Sequence, residues 1–179
     1  LALPDYGNWA LFGPLPTNKP FDVQSFVEQA DMLNPAYVMP LEGEYCYGKD
    51  GRKEAFWVTC PAIHGFVDFR HYFRIQKRGV SPTEPGKALA ICKLIVLGDT
   101  EATLSFSWDD DLAILLNHSY IEMGFHNAFR SKKIQVSLHK GCNLLAVILG
   151  NTVGYNHGGW CFAFSARCSD GAIVLPQLL

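Results

Sequence analysis

Charged residues are scarce in this chain, and neither sign of charge dominates. They make up 18 % of the 179 residues, with 15 basic side chains against 17 acidic ones. Binding to nucleic acid or to an anionic lipid surface depends on a strong excess of Lys and Arg, which this sequence lacks. No apolar run approaches the roughly 18 residues of a membrane-spanning helix. We therefore expect no nucleic-acid partner and no membrane span.

The local motifs that indicate catalysis or a preformed metal site are also missing. The six cysteines include no Cys-x-x-Cys pair, which argues against a zinc ribbon or a thioredoxin-type centre. The histidines show no His-x-x-x-His spacing, and neither a Gly-x-Ser-x-Gly elbow nor a phosphate-binding glycine loop occurs. We expect a protein that is not an enzyme. The cysteines can be free or paired, and the sequence leaves both states open.

Apolar residues are plentiful, at 49 % of the chain, and aromatic residues reach 13 %. This composition is typical of a chain that folds around a substantial core, and the length suits one domain. We predict a single domain over residues 1–179, with an irregular, proline-rich half at 1–85 and regular strands at 86–175. The first residue is Leu1 rather than Met, which suggests a processed protein or an excised piece.

Short β segments separated by turn residues fill the second half. In "ATLSFSW", residues 102–108, apolar Leu104, Phe106 and Trp108 alternate with Thr and Ser, which is the period of a strand with one buried face. The more continuous run "NLLAVIL", residues 143–149, predicts a strand buried on both faces. Many short strands with polar turns are typical of an antiparallel sandwich or jelly roll. We predict a mostly β fold.

The first half holds seven prolines before Pro82, and proline cannot donate to a central sheet ladder. This half is therefore expected to supply edge strands, wrapping loops and at most one or two short helices. The segment "DVQSFVEQADML", residues 22–33, is the helix candidate, with Asp22 as a possible N-cap. Its apolar residues fall on one stripe, formed by Phe26, Val27, Ala30 and Leu33.

Six segments occur in the order found in a known type of bacterial accessory domain. They are "WALFGPLP", "HGFVDFRHYF", "KALAICKLIV", "ATLSFSWDDDLAILLNHSYI", "IQVSLHKGCNLLAVILGN" and "GGWCFAFSAR". Together they resemble the galactose-binding-domain-like β-sandwich, or jelly roll, of bacterial glycoside hydrolases and related envelope or secreted proteins. In that type a strand ends in Asp-Asp and another in Asn-Gly. Here the second turn is Asn117-His118, a departure that puts the shape of any site near it in doubt.

The resemblance implies a non-catalytic accessory module that binds carbohydrate through loops at one end of the sandwich. It further implies a glycan as partner, a catalytic domain of the same parent protein as a second partner, and a secreted or cell-envelope location. The same fold supports many roles, so a rival hypothesis stays open. The domain would then be a structural or protein-interaction module that packs against a catalytic neighbour and has no ligand of its own.

Three consecutive carboxylates, Asp109 to Asp111, follow Trp108. A turn with capped backbone N–H groups is the favoured interpretation, and the resemblance also places Asp-Asp at a corner between strands. A sugar site beside the Trp108 indole is the second interpretation. A structural Ca²⁺ site is the third, although adjacent aspartates do not match EF-hand spacing. A hydrolytic pair is disfavoured because consecutive side chains on an extended chain point in opposite directions.

The expected carbohydrate site combines aromatic rings that stack on sugar with amide and carboxylate groups that bind hydroxyls. Its members are Trp108, Asp109, Asp110, Asn117, His118, Tyr155 and His157. We expect no cofactor, apart from the structural Ca²⁺ that the aspartates leave open.

Overall fold

The structure is a computed structural model that describes residues 6–15, 21–40, 45–47, 53–76, 86–151 and 159–178. Its strands are β1 Tyr6–Leu15, β2 Tyr45–Tyr47, β3 Lys53–Ile63, β4 Phe66–Asp68, β5 Gly86–Val96, β6 Thr100–Leu116, β7 Ser119–Leu138, β8 Gly141–Asn151, β9 Cys161–Cys168 and β10 Ile173–Val174. The two helices are α1 Val23–Gln29 and α2 Phe69–Gln76. The mostly β prediction is confirmed.

All strand pairs are antiparallel, and they form one hydrogen-bonded sheet in the order β10-β9-β6-β8-β5-β1-β3-β2, with β4 also on β9 and β7 along β6. The sheet is folded over at the long β6–β7 ribbon into two layers. The first part of β6 pairs with β9, and the last part pairs with β8. We call the layer containing β9, β4 and β10 the front layer, and the layer from β8 to β2 the back layer.

The core lies between these layers. Trp9 of β1, in the back layer, meets Phe162 and Phe164 of β9, in the front layer, with ring centroids 5.3 and 5.4 Å apart and nearly perpendicular planes. Edge-to-face contacts of this kind add to the apolar area that the rings bury. Alternate residues of β6 from Ala102 to Leu116 point into the same core, so one strand serves both layers.

A second apolar cluster covers the outer face of the back layer. Val23 and Val27 of α1 pack there with Phe12 and Trp57. Asp22 caps the helix, since its carboxylate accepts from the Ser25 N–H at 3.0 Å. The helix predicted in this segment is confirmed, although it ends at Gln29. The run at 143–149 is buried on both faces as predicted, because alternate residues of β8 enter the two clusters.

Helix α2 closes the end of the sandwich at which β6 changes its partner. Phe69 and Phe73 stack with centroids 5.6 Å apart, and both rings meet Trp160. Asp68 caps the start of the helix by accepting from the Arg70 N–H at 3.0 Å. No helix within the described ranges is long and apolar enough to span a membrane.

The proline-rich half contributes more than edge strands to the sheet. Strand β1 is an interior strand, flanked by β3 and β5, which the expectation of edge strands did not anticipate. Pro14 is accommodated because the β1–β5 register shifts between Phe12 and Leu15. Pro61 of β3 pairs with Asn8 of β1 and lies beyond the stretch that β2 covers. Its missing N–H therefore faces an edge on which no described strand needs a donor.

Candidate functional site

The three aspartates lie inside β6, at the point where that strand exchanges one partner for another. Asp109 is paired with Cys161 of β9, and Asp111 is paired with Gly150 of β8. The register with β7 also shifts between Trp108 and Asp110. The predicted turn between two strands is therefore wrong, because β6 continues through the aspartates as one bent strand. We call residues 109–111 the carboxylate corner.

Trp108 does not belong to a binding surface. Its side chain is 0 % exposed, and its Nε1–H donates to the carbonyl oxygens of Asp110 at 3.0 Å and Gly124 at 3.1 Å. A ring enclosed in this way has no free face for a sugar, so the expected stacking on Trp108 is wrong. The indole instead anchors the bend of the β6–β7 ribbon, because one donor bridges both of its strands.

Asp109 and Asp110 form an interacting pair of carboxyl groups. Burial, the hydrogen bond with Asp110 and the charge of Asp110 raise the pKa of Asp109 from 3.8 to about 6, while the Gly159 N–H opposes the rise. Asp110 itself is buried. Two carboxylates that share one location repel each other when both are ionised. The pair therefore favours a ligand that brings hydrogen-bond donors or positive charge.

Asp111 lies on the same outward side of β6 as Asp109, but on the part of the strand that pairs with β8, so it belongs to the surface of the back layer. Burial raises the pKa of its carboxyl, the positive charge of Lys87 opposes that rise, and the charges of Glu122 and Asp110 add to it. Lys87 lies on β5 beside Gly150, the residue that faces Asp111 on β8. The corner thus presents Asp109 on the outer surface of the front layer and Asp111 on that of the back layer.

Asn117 and His118 lie at the opposite end of β6, in the two-residue turn that joins it to β7. Asn117 has a positive φ of 53°, so it is the asparagine and not the histidine that takes the left-handed conformation. Its side-chain amide donates to Asn143 at 3.1 Å and accepts from the Leu144 N–H at 2.9 Å. Eight residues of strand, about 26 Å of chain, separate it from Asp109. The structure therefore does not join this pair to the carboxylate corner in one site.

Tyr155 and His157 lie outside the described residues. The neighbouring Gly159 is described, and its backbone N–H reaches the Asp109 carboxylate. A side chain on Gly159 would meet the Cys161 sulfur at 2.7 Å, so glycine allows this close approach of the chain to the corner.

Two exposed phenylalanines that the sequence analysis missed lie beside the corner. Phe66 of β4 is 46 % exposed and Phe129 of β7 is 50 % exposed, and their ring centroids are 6.4 Å apart. Paired residues on β4, β9 and β6 form rows across the front layer. One row contains Phe66, Ala163 and Ser107. The next row on the same face contains Asp68, Cys161 and Asp109. Rows two residues apart are about 7 Å apart. The rings and Asp109 therefore share the outer face of the front layer.

Small and polar side chains form the surface around these rings. Ser107 of β6 faces Ser131 of β7, with 2.6 Å between their hydroxyl oxygens. Four residues further from the corner along β6, Thr103 is also hydrogen-bonded to Gln135 of β7, at 3.1 and 2.8 Å. The face thus combines an aromatic pair with hydroxyl, amide and carboxylate groups.

The thiol beside the carboxylate corner is that of Cys161, which pairs with Asp109. Burial, with the charges of Asp68 and Asp109, raises the pKa of Cys161 to about 12, so this thiol stays protonated at neutral pH. The cysteines whose side chains are described, at 60, 92, 142, 161 and 168, are free. Within the described ranges, no group of three or more His, Cys, Asp or Glu side chains could hold a metal ion.

Comparison with known proteins identifies the architecture. No protein-family profile and no curated protein sequence matches the chain. Among solved structures, the β-glucosidase from Kluyveromyces marxianus aligns with a TM-score of 0.52 at 16 % identity, over 89 % of this chain and 16 % of that chain. The complex of the same enzyme with glucose aligns with a TM-score of 0.52 at 13 % identity, over 91 % of this chain and 16 % of that chain. The chain shares its fold with a part of a glycoside hydrolase.

This chain therefore spans about 16 % of the β-glucosidase that it matches. A lower TM-score of 0.46, at 11 % identity, relates it to a PA14 sugar-binding domain from an RTX adhesin, over 95 % of this chain and 94 % of that chain. The expected resemblance to β-sandwich domains of glycoside hydrolases is confirmed at the level of the fold.

Proposed function

We propose that this protein is a non-catalytic carbohydrate-binding module and that its site is the outer face of the front layer beside the carboxylate corner. The observation that carries the proposal is the exposed Phe66–Phe129 pair, one strand row from Asp109. Ligand sites typically combine apolar or aromatic surface with a few well-placed polar groups. The rings offer faces for the C–H side of a pyranose, and the carboxylate accepts hydrogen bonds from its hydroxyls.

The polar groups around the rings extend the same chemistry. Ser107 and Ser131 each carry a hydroxyl that can both donate and accept, and they lie in the row that contains Phe66. Sugar hydroxyls have the same dual character. A glycan lying across the four strands would therefore find a hydrogen-bonding partner on each side of the aromatic pair.

The carboxylate pair gives the site a preference in charge. An anionic sugar would add a third negative charge to Asp109 and Asp110, whereas hydroxyl donors or a cation would relieve their repulsion. Carboxylate oxygens are ligands that Ca²⁺ prefers, and the two aspartates fit part of such a site. A bound Ca²⁺ would supply positive charge to both carboxylates, and its further ligands would have to be backbone, water or sugar oxygens.

Hydrolysis fits the corner poorly. The carboxyl groups of Asp109 and Asp110 hydrogen-bond to each other, which places them closer than the roughly 5 Å that even a retaining glycosidase keeps between its two carboxyls. A scissile bond has no room between them. We therefore propose binding without catalysis.

The test is a glycan-array screen of the purified protein with Ca²⁺ and with chelator, followed by titration of the best ligand. Phe66→Ala should weaken binding about tenfold or more, because it removes one stacking face. Leu97→Ala is the matched control, since Leu97 is 94 % exposed in the β5–β6 turn and lies away from the corner. Both variants should unfold cooperatively.

The rival function is a module that packs against a catalytic neighbour, and the exposed Phe66 and Phe129 also suit that role. Absence of binding to every glycan, with and without Ca²⁺, would refute the carbohydrate proposal and favour this alternative. Unchanged affinity in Phe66→Ala would refute the location of the site while leaving carbohydrate binding in place.

A further inference from the structure

A groove lies on the outer face of the back layer, away from the Phe66–Phe129 pair. It is formed by residues 21–24 on one side and by Lys87, Tyr120 and Ile148 on the other, and its volume is about 300 Å³. That volume is at the lower end of the range of about 300 to 1,000 Å³ for small-molecule sites. The groove is therefore large enough for a single small ring and too small for a folded partner.

Tyr120 gives the groove an aromatic surface. Its side chain is 51 % exposed on β7, and burial of the phenol together with the charges of Glu122 and Asp111 raises its pKa. The hydroxyl therefore remains protonated at neutral pH and can donate a hydrogen bond. Phe21 is half-buried on the opposite side of the groove, so the gap has an aromatic residue on each side.

Small residues lie next to the groove on β6 and β8. Ala113 faces Ile148 across the β6–β8 pair, and Gly150 follows one row further. A Cβ on Gly150 would lie 3.6 Å from the Cβ of Asp111 and 4.0 Å from the Cγ of Lys87. Lys87 and Asp111 thus flank Gly150 on the neighbouring strands, and the positive charge of Lys87 acts on the Asp111 carboxyl, so a donor and an acceptor lie beside the groove.

We propose that this groove is a second carbohydrate site, which takes one neutral hexopyranose. The Tyr120 ring offers a stacking face, Lys87 and the Tyr120 hydroxyl donate, and Asp111 and Glu122 accept. Three carboxylates, those of Asp22 in the groove and of Asp111 and Glu122 beside it, outnumber the one ammonium group of Lys87, so uronates and phosphorylated sugars are disfavoured. The proposal does not depend on the site beside Phe66, because the two surfaces lie on different layers and share no side chain.

The test is a two-dimensional NMR titration of the full chain with glucose, galactose and mannose up to about 50 mM, since single sugars bind weakly. Glucuronate serves as the anionic counterpart. We expect amide shifts at residues 21–24 and in the first half of β7 with at least one neutral hexose and no such shifts with glucuronate. Tyr120→Ala should abolish them, and Tyr120→Phe should retain them with affinity weakened a few-fold.

Phe66→Ala is the matched aromatic control, and it should leave the groove shifts unchanged. Groove shifts that are absent for every neutral hexose, or that persist in Tyr120→Ala, would overturn the proposal. Shifts confined to Ser107 and Ser131 would overturn it too, while supporting the site beside Phe66. Shifts confined to the groove would support it and count against the site beside Phe66, so the two proposals fail separately. Cooperative unfolding of each variant checks the fold.

Discussion

Replacing Asp109 with Asn should stabilise the protein at neutral pH. The pKa of Asp109 rises from 3.8 to about 6 on folding, so the ionised form is disfavoured in the folded chain. Well below pH 3.8 the carboxyl is protonated in both the folded and the unfolded chain, so it does not affect the free energy of unfolding. Between about pH 4 and 6 the unfolded chain releases its proton first, so the free energy of unfolding falls as the pH rises, and it levels off above pH 6.

The magnitude follows from the same rise in pKa. A change from 3.8 to about 6 corresponds to about 3 kcal/mol for an unscreened group. Asp109 is only partly buried, and solvent screening reduces this to about 1 kcal/mol. The melting temperature of a chain of this size should then rise by about 2 to 4 °C at pH 7.5.

Thermal unfolding of the wild type and Asp109→Asn at pH 3.5, 5 and 7.5 provides the measurement. Glu28→Gln removes one charge from exposed α1 and serves as the control. The gain in Asp109→Asn should vanish near pH 3.5, and glycan binding should weaken because one acceptor is lost. A variant that is no more stable at pH 7.5 than at pH 3.5, relative to wild type, would contradict the account of the carboxylate pair.

Two further predictions concern stability. Lys93 is buried, and its ammonium group donates to the carbonyl oxygens of Pro35 at 3.1 Å and Tyr37 at 2.6 Å. Lys93→Met should therefore lower the free energy of unfolding by about 2 kcal/mol and speed amide exchange around residue 37. Wild-type exchange in that segment would contradict this. Gly65 has a φ of 74°, and a Cβ there would lie 2.0 Å from the Phe164 carbonyl oxygen. Gly65→Ala should therefore lower the free energy of unfolding, measured by chemical denaturation, by at least about 2 kcal/mol. Gly98→Ala, where a Cβ has open space, is the comparison.

Periodicity was sufficient to predict strands in the second half of the chain and to place Trp108 on their apolar face. The alternation of Leu104, Phe106 and Trp108 already placed the indole on the apolar face, and the structure confirms its burial. The expectation that Trp108 stacks on sugar rested on its position next to the carboxylates. That position is weaker evidence for exposure than the strand period is for burial. Asp109 to Asp111 suggested a turn, because turn propensity is local, whereas the continuation of β6 depends on β8 and β9.

The aromatic pair was beyond the reach of sequence patterns. Phe66 and Phe129 are far apart in the chain, and they meet only because β4, β9, β6 and β7 lie side by side in that order. Likewise, Asn117 follows the aspartates closely in sequence but lies at the other end of a long strand. Proximity in sequence therefore grouped residues that the structure separates, because cross-strand register decides which ones share a surface.

The single alternation that runs through β6 has a consequence for how the carboxylate corner can change. Even-numbered residues from Ala102 to Leu116 fill the core of both layers, on either side of the aspartates. Inserting or deleting one residue at the corner would turn every later side chain of the strand to the opposite face. Substitutions at Asp109 and Asp111 leave that phase intact. The side-chain chemistry of the corner is thus free to diverge, while the length of the strand there is held constant by the core on both sides.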